Sequence, residues 1–205
     1  VRLILAALGN AATPDALEYV KRYAASTEDP RLYGAAIEAA AKAMPHDESR
    51  RFCIEEVKRL SEHLDASAGK LTCIVRGLSP GLMRDGDPEE TLLLREIVAR
   101  TANEALRLAA LRALAAWVAD GSDLRGGIVL MMKAQLSAEA PDVRALAART
   151  LGHGGNPRDV LLLAPLLDDP DRNTRETAAE AICRLLNRRP SEWIGSPRDR
   201  SATDA

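Results

Sequence analysis

The sequence has few aromatic residues. They make up 3% of its 205 residues, as two tryptophans, three tyrosines and one phenylalanine. Proteins that grip single-stranded nucleic acid stack its bases on several exposed rings, so this composition argues against such a surface. The interior has to be filled by smaller side chains, and the chain contains 36 alanines and 29 leucines. Both residues favour helices, and helices rich in them can approach each other closely.

Long apolar runs and an excess of one charge are also missing. No run reaches the roughly 18 apolar residues that a membrane-spanning helix needs, so we expect no membrane partner. The net charge of -2 and the isoelectric point near 6.0 give no overall attraction to nucleic acid or anionic lipid. Hydrophobic residues at 46% and charged residues at 28% are typical of a soluble, folded protein. The start at Val1 lies within a predicted helix and indicates a fragment, and the cytoplasmic location that we expect follows from the reduced cysteines described next.

The residues that usually carry chemistry are few and scattered. Three widely spaced cysteines lie within apolar helical segments, which favours buried, reduced thiols over a disulfide or a zinc site: Cys53, Cys73 and Cys183. The three histidines lie in different segments, so no two share a helix face: His46, His63 and His153. No local pattern pairs a nucleophile with a base. We therefore expect no catalytic residue, metal or cofactor.

Proline and polar capping residues mark the starts of helices. Thr13-Pro14, Asp87-Pro88 and Asn156-Pro157 each place a capping side chain before a proline at the first helical position. Apolar residues then recur at steps of three and four, and nothing alternates as a strand would. We predict helices at 1–9, 14–26, 31–44, 48–64, 68–78, 88–101, 103–119, 123–137, 142–152, 157–168 and 172–188.

Short connections make successive helices antiparallel neighbours. The longest connection, 79–87, contains Pro80, Gly81 and Gly86 and is the candidate for a joint or a protruding loop. The last residues, 189–205, are polar and are predicted to be a flexible tail. Trp193 could instead fold back to cap the open end of the last repeat, or dock on another chain.

Several segments repeat one another. The segments 104–117, 141–152 and 172–186 align when Arg107, Arg144 and Arg175 are superposed, and each arginine precedes an alanine-rich apolar stripe. The stretch "LGNAATPD" at 8–15 returns as "LGHGGNPR" at 151–158. Four intervals of about 36 residues fit between the two copies, which is the length of a two-helix repeat.

The two copies predict a recurring turn. We expect Gly9 and Gly152 to end one helix, and Pro14 and Pro157 to start the next. A single helix pair cannot bury its apolar face, so neighbouring pairs should stack and share a continuous core.

These repeats resemble the HEAT-repeat superfamily, in particular the short HEAT-like repeats of phycobilisome lyases. The segment 166–186 is most similar, with Asp169, Pro170 and Arg175 at the family's spacing. The resemblance implies an all-α protein, an α-solenoid in which about five hairpins form a right-handed superhelix over 1–188, as a probable fragment of a longer array. It also implies a ladder of Asp and Arg side chains between neighbouring repeats, although the aspartate is missing before Arg107 and Arg144.

The resemblance further implies a non-catalytic scaffold that binds another protein on the concave face of its second helices. Arg107, Arg144 and Arg175 are the candidate contact residues, and bracing between repeats is their simpler role. Two alternatives remain open. One is a subunit similar to bilin lyases, which would hold a tetrapyrrole. The other is a DNA reader similar to HEAT-like alkylpurine glycosylases, whose basic face would use six arginines, at 107, 112, 144, 149, 175 and 184; the few aromatic residues and the mixed charge of these helices argue against it.

Overall fold

The computed structural model describes residues 1–78, 88–119 and 125–187. The predicted joint at 79–87 and the predicted tail or cap at 189–205 lie outside these residues. In the described ranges the structure consists of helices without any strand, so the predicted all-α class is confirmed. The α-helices are α1 Arg2–Ala11, α2 Pro14–Ser26, α3 Pro30–Ala43, α4 His46–Ser61, α5 Leu64–Leu78, α6 Pro88–Arg100, α7 Glu104–Ala119, α8 Arg125–Ala134, α9 Pro141–Gly154, α10 Val160–Leu163 and α11 Arg172–Asn187.

The chain divides into two compact units, Val1–Leu114 and Ala115–Ala205. In the first unit, α1, α3 and α5 pack side by side as second helices, and α2 and α4 pack against α3 and α5 as first helices. In the second unit, α9 and α11 pack side by side, with α8 against α9 and α10 against α11. Each unit is therefore a stack of helical hairpins, which is the arrangement of an α-solenoid. The right-handed sense and the number of five hairpins stay predictions.

The predicted helix starts are confirmed at two of the three proline sites. Thr13 Oγ1 accepts a hydrogen bond of 3.3 Å from the Ala16 N–H, and Pro14 occupies the first turn of α2. Asn156 and Asp159 form a capping box around Pro157. The Asn156 side chain accepts from backbone N–H groups of the following turn, and the Asp159 carboxylate accepts from the N–H of Asn156. At the third site, α6 begins at Pro88 as predicted, but Asp87 lies outside the described residues.

The predicted role of the two repeated glycines is wrong. Gly9 and Gly152 do not end helices, since α1 continues to Ala11 and α9 to Gly154. Both glycines are buried where two second helices touch. A Cβ atom on Gly9 would lie 2.8 Å from the carbonyl oxygen of Ala39, and one on Gly152 would lie 2.8 Å from the Cα atom of Ala181. The repeated glycine therefore permits close helix packing.

The turns after these glycines differ in conformation. Ala12 follows α1 in the left-handed region, with φ of 50°, whereas the aligned Gly155 follows α9 with φ of -73°. The two copies therefore share the tightly packed glycine and the proline helix start. The backbone angles of the residue between them, Ala12 or Gly155, differ.

The predicted helix at 157–168 is divided into three parts. A 3-10 turn at Pro157–Asp159 leads into α10, and a second 3-10 segment follows at Ala164–Asp168. Pro165 has no N–H to donate to the carbonyl of Leu161, and its ring clashes with that carbonyl, so an α-helix cannot pass through it. The chain tightens into 3-10 geometry there instead.

Aliphatic side chains make up most of both cores, and Tyr33 and Trp117 are buried with them. Leu5, Leu71 and Leu106 are fully buried in the first unit, as are Met132 and Leu151 in the second. The expected burial of the cysteines is confirmed at Cys53 only. Cys73 is half-buried and Cys183 is exposed, because it lies on the outer side of α11.

Candidate partner-binding surface

Arg144 lies on α9 and joins this second helix to the turn that precedes the next one, α11. Its Nε and Nη2 atoms donate to the two carboxylate oxygens of Asp169, at 2.7 and 2.8 Å. Its Nη1 atom donates to the carbonyl oxygens of Ala138 and Glu139. Both side chains are largely enclosed, with 14% of Arg144 and 5% of Asp169 exposed. This pair is one rung of the Asp–Arg ladder that the resemblance implies.

The three predicted arginines share one backbone contact. Arg107 donates to the carbonyl of Thr101 at 2.7 Å, and Arg175 donates to the carbonyl of Asp169 at 2.7 Å. In each case, as at Arg144, the acceptor lies six residues before the arginine. The side chain thus folds back and ties the start of its helix to the preceding turn. The structure brings Arg144 and Arg175 together at Asp169.

Arg107, which lies in the first unit, is less fully bonded. Its Nε atom is buried and has no hydrogen-bond partner among the described residues. The position that aligns with Asp169 in the repeat after Arg107 is Ala138, whose side chain offers no acceptor. Thr101 precedes Arg107 by six residues, as Asp169 precedes Arg175, and both side chains bond the backbone two residues later. The Thr101 hydroxyl oxygen accepts from the N–H of Asn103 at 3.1 Å, and the Asp169 carboxylate accepts from the N–H of Asp171 at 2.9 Å.

The structure contains ionic contacts that sequence reasoning missed. Lys133 pairs with the buried Asp159 at 2.5 Å. This aspartate is also the N3 residue of the capping box that begins at Asn156. In the first unit, the Tyr33 hydroxyl donates to Glu56, which also accepts from Arg59 at 2.7 Å. Glu56 and Arg59 are neighbours on one helix, whereas the other partners lie 23 to 26 residues apart in the sequence. Only the alignment of successive repeats could have predicted these distant pairs.

Burial of these groups shifts their ionisation. The pKa of Tyr33 is raised above its ordinary value by burial first and by Glu56 second. The pKa of Cys53 is raised to about 12, mainly by burial and also by the charges of Glu56 and Glu90. A thiol with such a pKa stays protonated at neutral pH and is a poor nucleophile. Cys53 is therefore unsuited to act as a nucleophile.

One face of the second helices in the second unit remains open. On α9, residues at helical spacing reach the surface: Asp142, Leu146, Arg149 and His153. On the adjacent α11, the exposed residues Glu176, Glu180 and Arg184 continue the same face. Arg184 Nη1 lies 2.9 Å from His153 Nε2 and so joins the two helices. We call these seven residues the second-helix surface; their spacing of three and four could have been read from the sequence.

The charge of this surface is mixed. Arg184 lies 3.6 Å from Glu180, and Arg172 pairs with Glu176 at 2.6 Å on the same helix. Of the six arginines counted for a basic face, those at 107, 144 and 175 donate to the chain itself, whereas those at 112, 149 and 184 are exposed. Mixed signs suit a protein partner better than the uniform phosphate charge of DNA.

The described ranges contain neither a cluster of metal ligands nor a helix fit to cross a membrane. Three or more His, Cys, Asp or Glu side chains do not gather there in a way that could hold a metal ion. In the same ranges, none of the helices combines the length and the apolar character that crossing a bilayer requires.

Stacked hairpins, with Arg144 of one hairpin bonded to Asp169 in the turn of the next, define an all-α repeat protein. The family model for HEAT repeats matches residues 91–183 and 128–202, which together span more than half of the chain. The chain therefore belongs to the HEAT-repeat family. No curated protein and no solved structure matches the chain in the corresponding comparisons.

Proposed function

We propose that this protein is a non-catalytic scaffold that binds another protein through its second helices. HEAT repeats are commonly protein-interaction scaffolds. The observation that carries the proposal is the second-helix surface, where α9 and α11 lie side by side and leave an open face of mixed charge. Charged and polar groups in such an arrangement can select a complementary protein partner.

The three predicted arginines contribute to this surface indirectly. Arg144 is bonded at all three of its guanidinium nitrogens, so a partner would have to displace existing bonds to use it. We propose that Arg107, Arg144 and Arg175 brace the repeats, and that Arg149 and Arg184 make the charged contacts. Direct contact between the first three and a partner stays a prediction.

Affinity capture with matched charge reversals tests this assignment. The full chain, the Arg149→Glu/Arg184→Glu variant and the Arg158→Glu variant would each be used as bait in a lysate of the producing cells, with quantitative mass spectrometry. Arg158 is an exposed arginine in the 3-10 turn before α10 and is not part of the second-helix surface. We expect one set of proteins to be captured by the full chain and by Arg158→Glu, and to be lost with the double variant.

Two results would contradict the proposal. Equal capture by all three baits would show that the partner uses another surface. Capture of nothing beyond the bare affinity matrix would argue against a scaffold. In a third variant, alanine replaces all three of the arginines at 107, 144 and 175. If these arginines brace the repeats, this variant should capture fewer partner proteins only when its melting temperature is also lower. Fewer captured partners at an unchanged melting temperature would show that these arginines contact the partner.

A further inference from the structure

A groove crosses the first unit on the side of its first helices. It lies between α2 and α4, above α3, and has a volume of about 420 Å³. Ala24 and Ile37 form its buried floor, and the half-buried Phe52 forms one wall. The alanines of α2 leave this space open, because larger side chains at positions 24 and 25 would fill it.

The groove is partly open to solvent. Lys21 and Ala25 are exposed on one rim, and Arg59 is exposed on the other. A pocket for a small molecule usually encloses most of its ligand, whereas an open groove suits a segment that continues beyond it. Phe52 and Arg59 are seven residues apart on α4, which corresponds to about 10 Å along the helix. That length accommodates about three residues of extended chain.

The charge of the groove is positive at its rim. The Glu56 carboxylate is already held by the Tyr33 hydroxyl and by Arg59, 2.7 Å away. Lys21 takes part in no ion pair within the described ranges, and its Nζ atom lies 5.0 Å from the centre of the Phe52 ring. Its charge is therefore available to a carboxylate that lies against the same ring.

We propose that this groove binds a short extended segment of a partner protein, in which an aliphatic side chain is flanked by acidic residues. The aliphatic side chain packs between Ala25, Ile37 and Phe52, where burial of apolar surface drives binding. A flanking carboxylate pairs with Lys21, and another reaches the nitrogens of Arg59 other than Nη2, which holds Glu56. This site lies on other helices than the second-helix surface and is independent of the function proposed above.

Titration of the full chain with a defined peptide tests the site. The probe is acetyl-Ser-Asp-Glu-Leu-Asp-Glu-Ser-amide, followed through the backbone amide signals in ¹⁵N NMR spectra. One control peptide carries glycine in place of leucine, and a second carries lysine in place of each acidic residue. We expect the probe to shift the amide signals of residues 21–25 and 52–59, and both controls to bind at least about fivefold more weakly.

Charge reversal on α2 provides the matched variants. Lys21→Glu should weaken binding of the probe about tenfold, since it removes an attraction and adds a repulsion. Arg22→Glu makes the same charge change at the next exposed residue, which does not line the groove, and should leave the affinity unchanged. Ala25→Trp should abolish binding by filling the rim, while the Arg149→Glu/Arg184→Glu variant should bind the probe as the full chain does.

Several outcomes would overturn the proposal. These are amide shifts confined to other helices, equal affinity of the glycine peptide, or equal affinity of Lys21→Glu. Hexanoate is tested as a small carboxylate. If hexanoate shifts the amide signals of residues 21–25 and 52–59 and the probe peptide does not, the groove is a site for small carboxylates and the peptide proposal is wrong. Failure of the probe would leave the second-helix capture experiment unaffected, so the two proposals fail separately.

Discussion

Arg144 on α9 and Asp169 in the turn before α11 form a two-point ion pair, with donor–acceptor distances of 2.7 and 2.8 Å. The same aspartate accepts from the N–H of Asp171, and its backbone carbonyl accepts from Arg175. Asp169 thus fixes the arginine of its own repeat and the arginine of the preceding one. The hydroxyl of Thr174 adds a further link, because it donates to the carbonyl of Pro141 on the neighbouring helix.

Arg144→Ala should destabilise the second unit. The substitution removes the Arg144 donors from two backbone carbonyls and from the enclosed Asp169 carboxylate, which among the described residues keeps only the bond from the Asp171 N–H. We expect a loss of about 2 kcal/mol in the free energy of unfolding, between the values typical of exposed and of deeply buried pairs. Urea unfolding followed by circular dichroism measures it. Arg172→Ala is the control, because that side chain is 82% exposed and pairs within its own helix, and an equal loss there would refute the bracing role.

The contribution of Asp169 should depend on acid pH. The hydrogen bonds from Arg144 lower the pKa of Asp169 below its ordinary value. A lowered pKa in the folded state stabilises the protein above the unfolded-state pKa of about 4, and this stabilisation is lost as the pH falls through the folded-state value. The difference in unfolding free energy between the native chain and Asp169→Asn should therefore be largest at about pH 7 and shrink below about pH 4. A difference that stays constant down to about pH 2 would contradict this.

Gly152→Ala should destabilise the packing of α9 on α11. The added methyl group would lie 2.8 Å from Ala181 Cα and 2.9 Å from its Cβ, so the helices would have to separate. We expect a loss of about 1 to 3 kcal/mol, which exceeds the gain in helix propensity. Gly126→Ala is the matched control in α8, because nothing lies within 4 Å of its added Cβ atom. Thermal melts of both variants measure the contrast, and a stabilised Gly152→Ala protein would disprove the close packing.

Tyr33→Phe should remove a stabilising contact that is sensitive to alkaline pH. The hydroxyl bonds Glu56 and accepts from Arg59, so its loss should cost about 1 kcal/mol near neutral pH. Burial raises the pKa of Tyr33 in the folded state, and the stabilisation is therefore present below the unfolded value of about 10 and lost as the pH rises above it. Unfolding free energies of both proteins, measured from about pH 8 to about pH 11, should converge. Divergence with rising pH would contradict the assigned shift.

Much of the fold could be predicted from local sequence. Helix starts at Pro14 and Pro157 are set by a capping side chain and by the fixed backbone angle of proline, which need no distant partner. The recurrence of apolar residues at steps of three and four likewise predicted helices, since a helix places every third and fourth residue on one side. The repeated arginine marked equivalent positions in successive hairpins.

Other features were decided only by the tertiary structure. The sequence showed Gly9 and Gly152 as a pair, but their role depends on Ala39 and Ala181, about 30 residues away, which come within contact distance only when the second helices stack. The exposure of Cys183 and the groove between α2 and α4 likewise depend on which helix faces which. Local residues therefore determined where helices begin and which side is apolar, and the packing of one hairpin on the next determined which side chains brace the protein and which remain open to a partner.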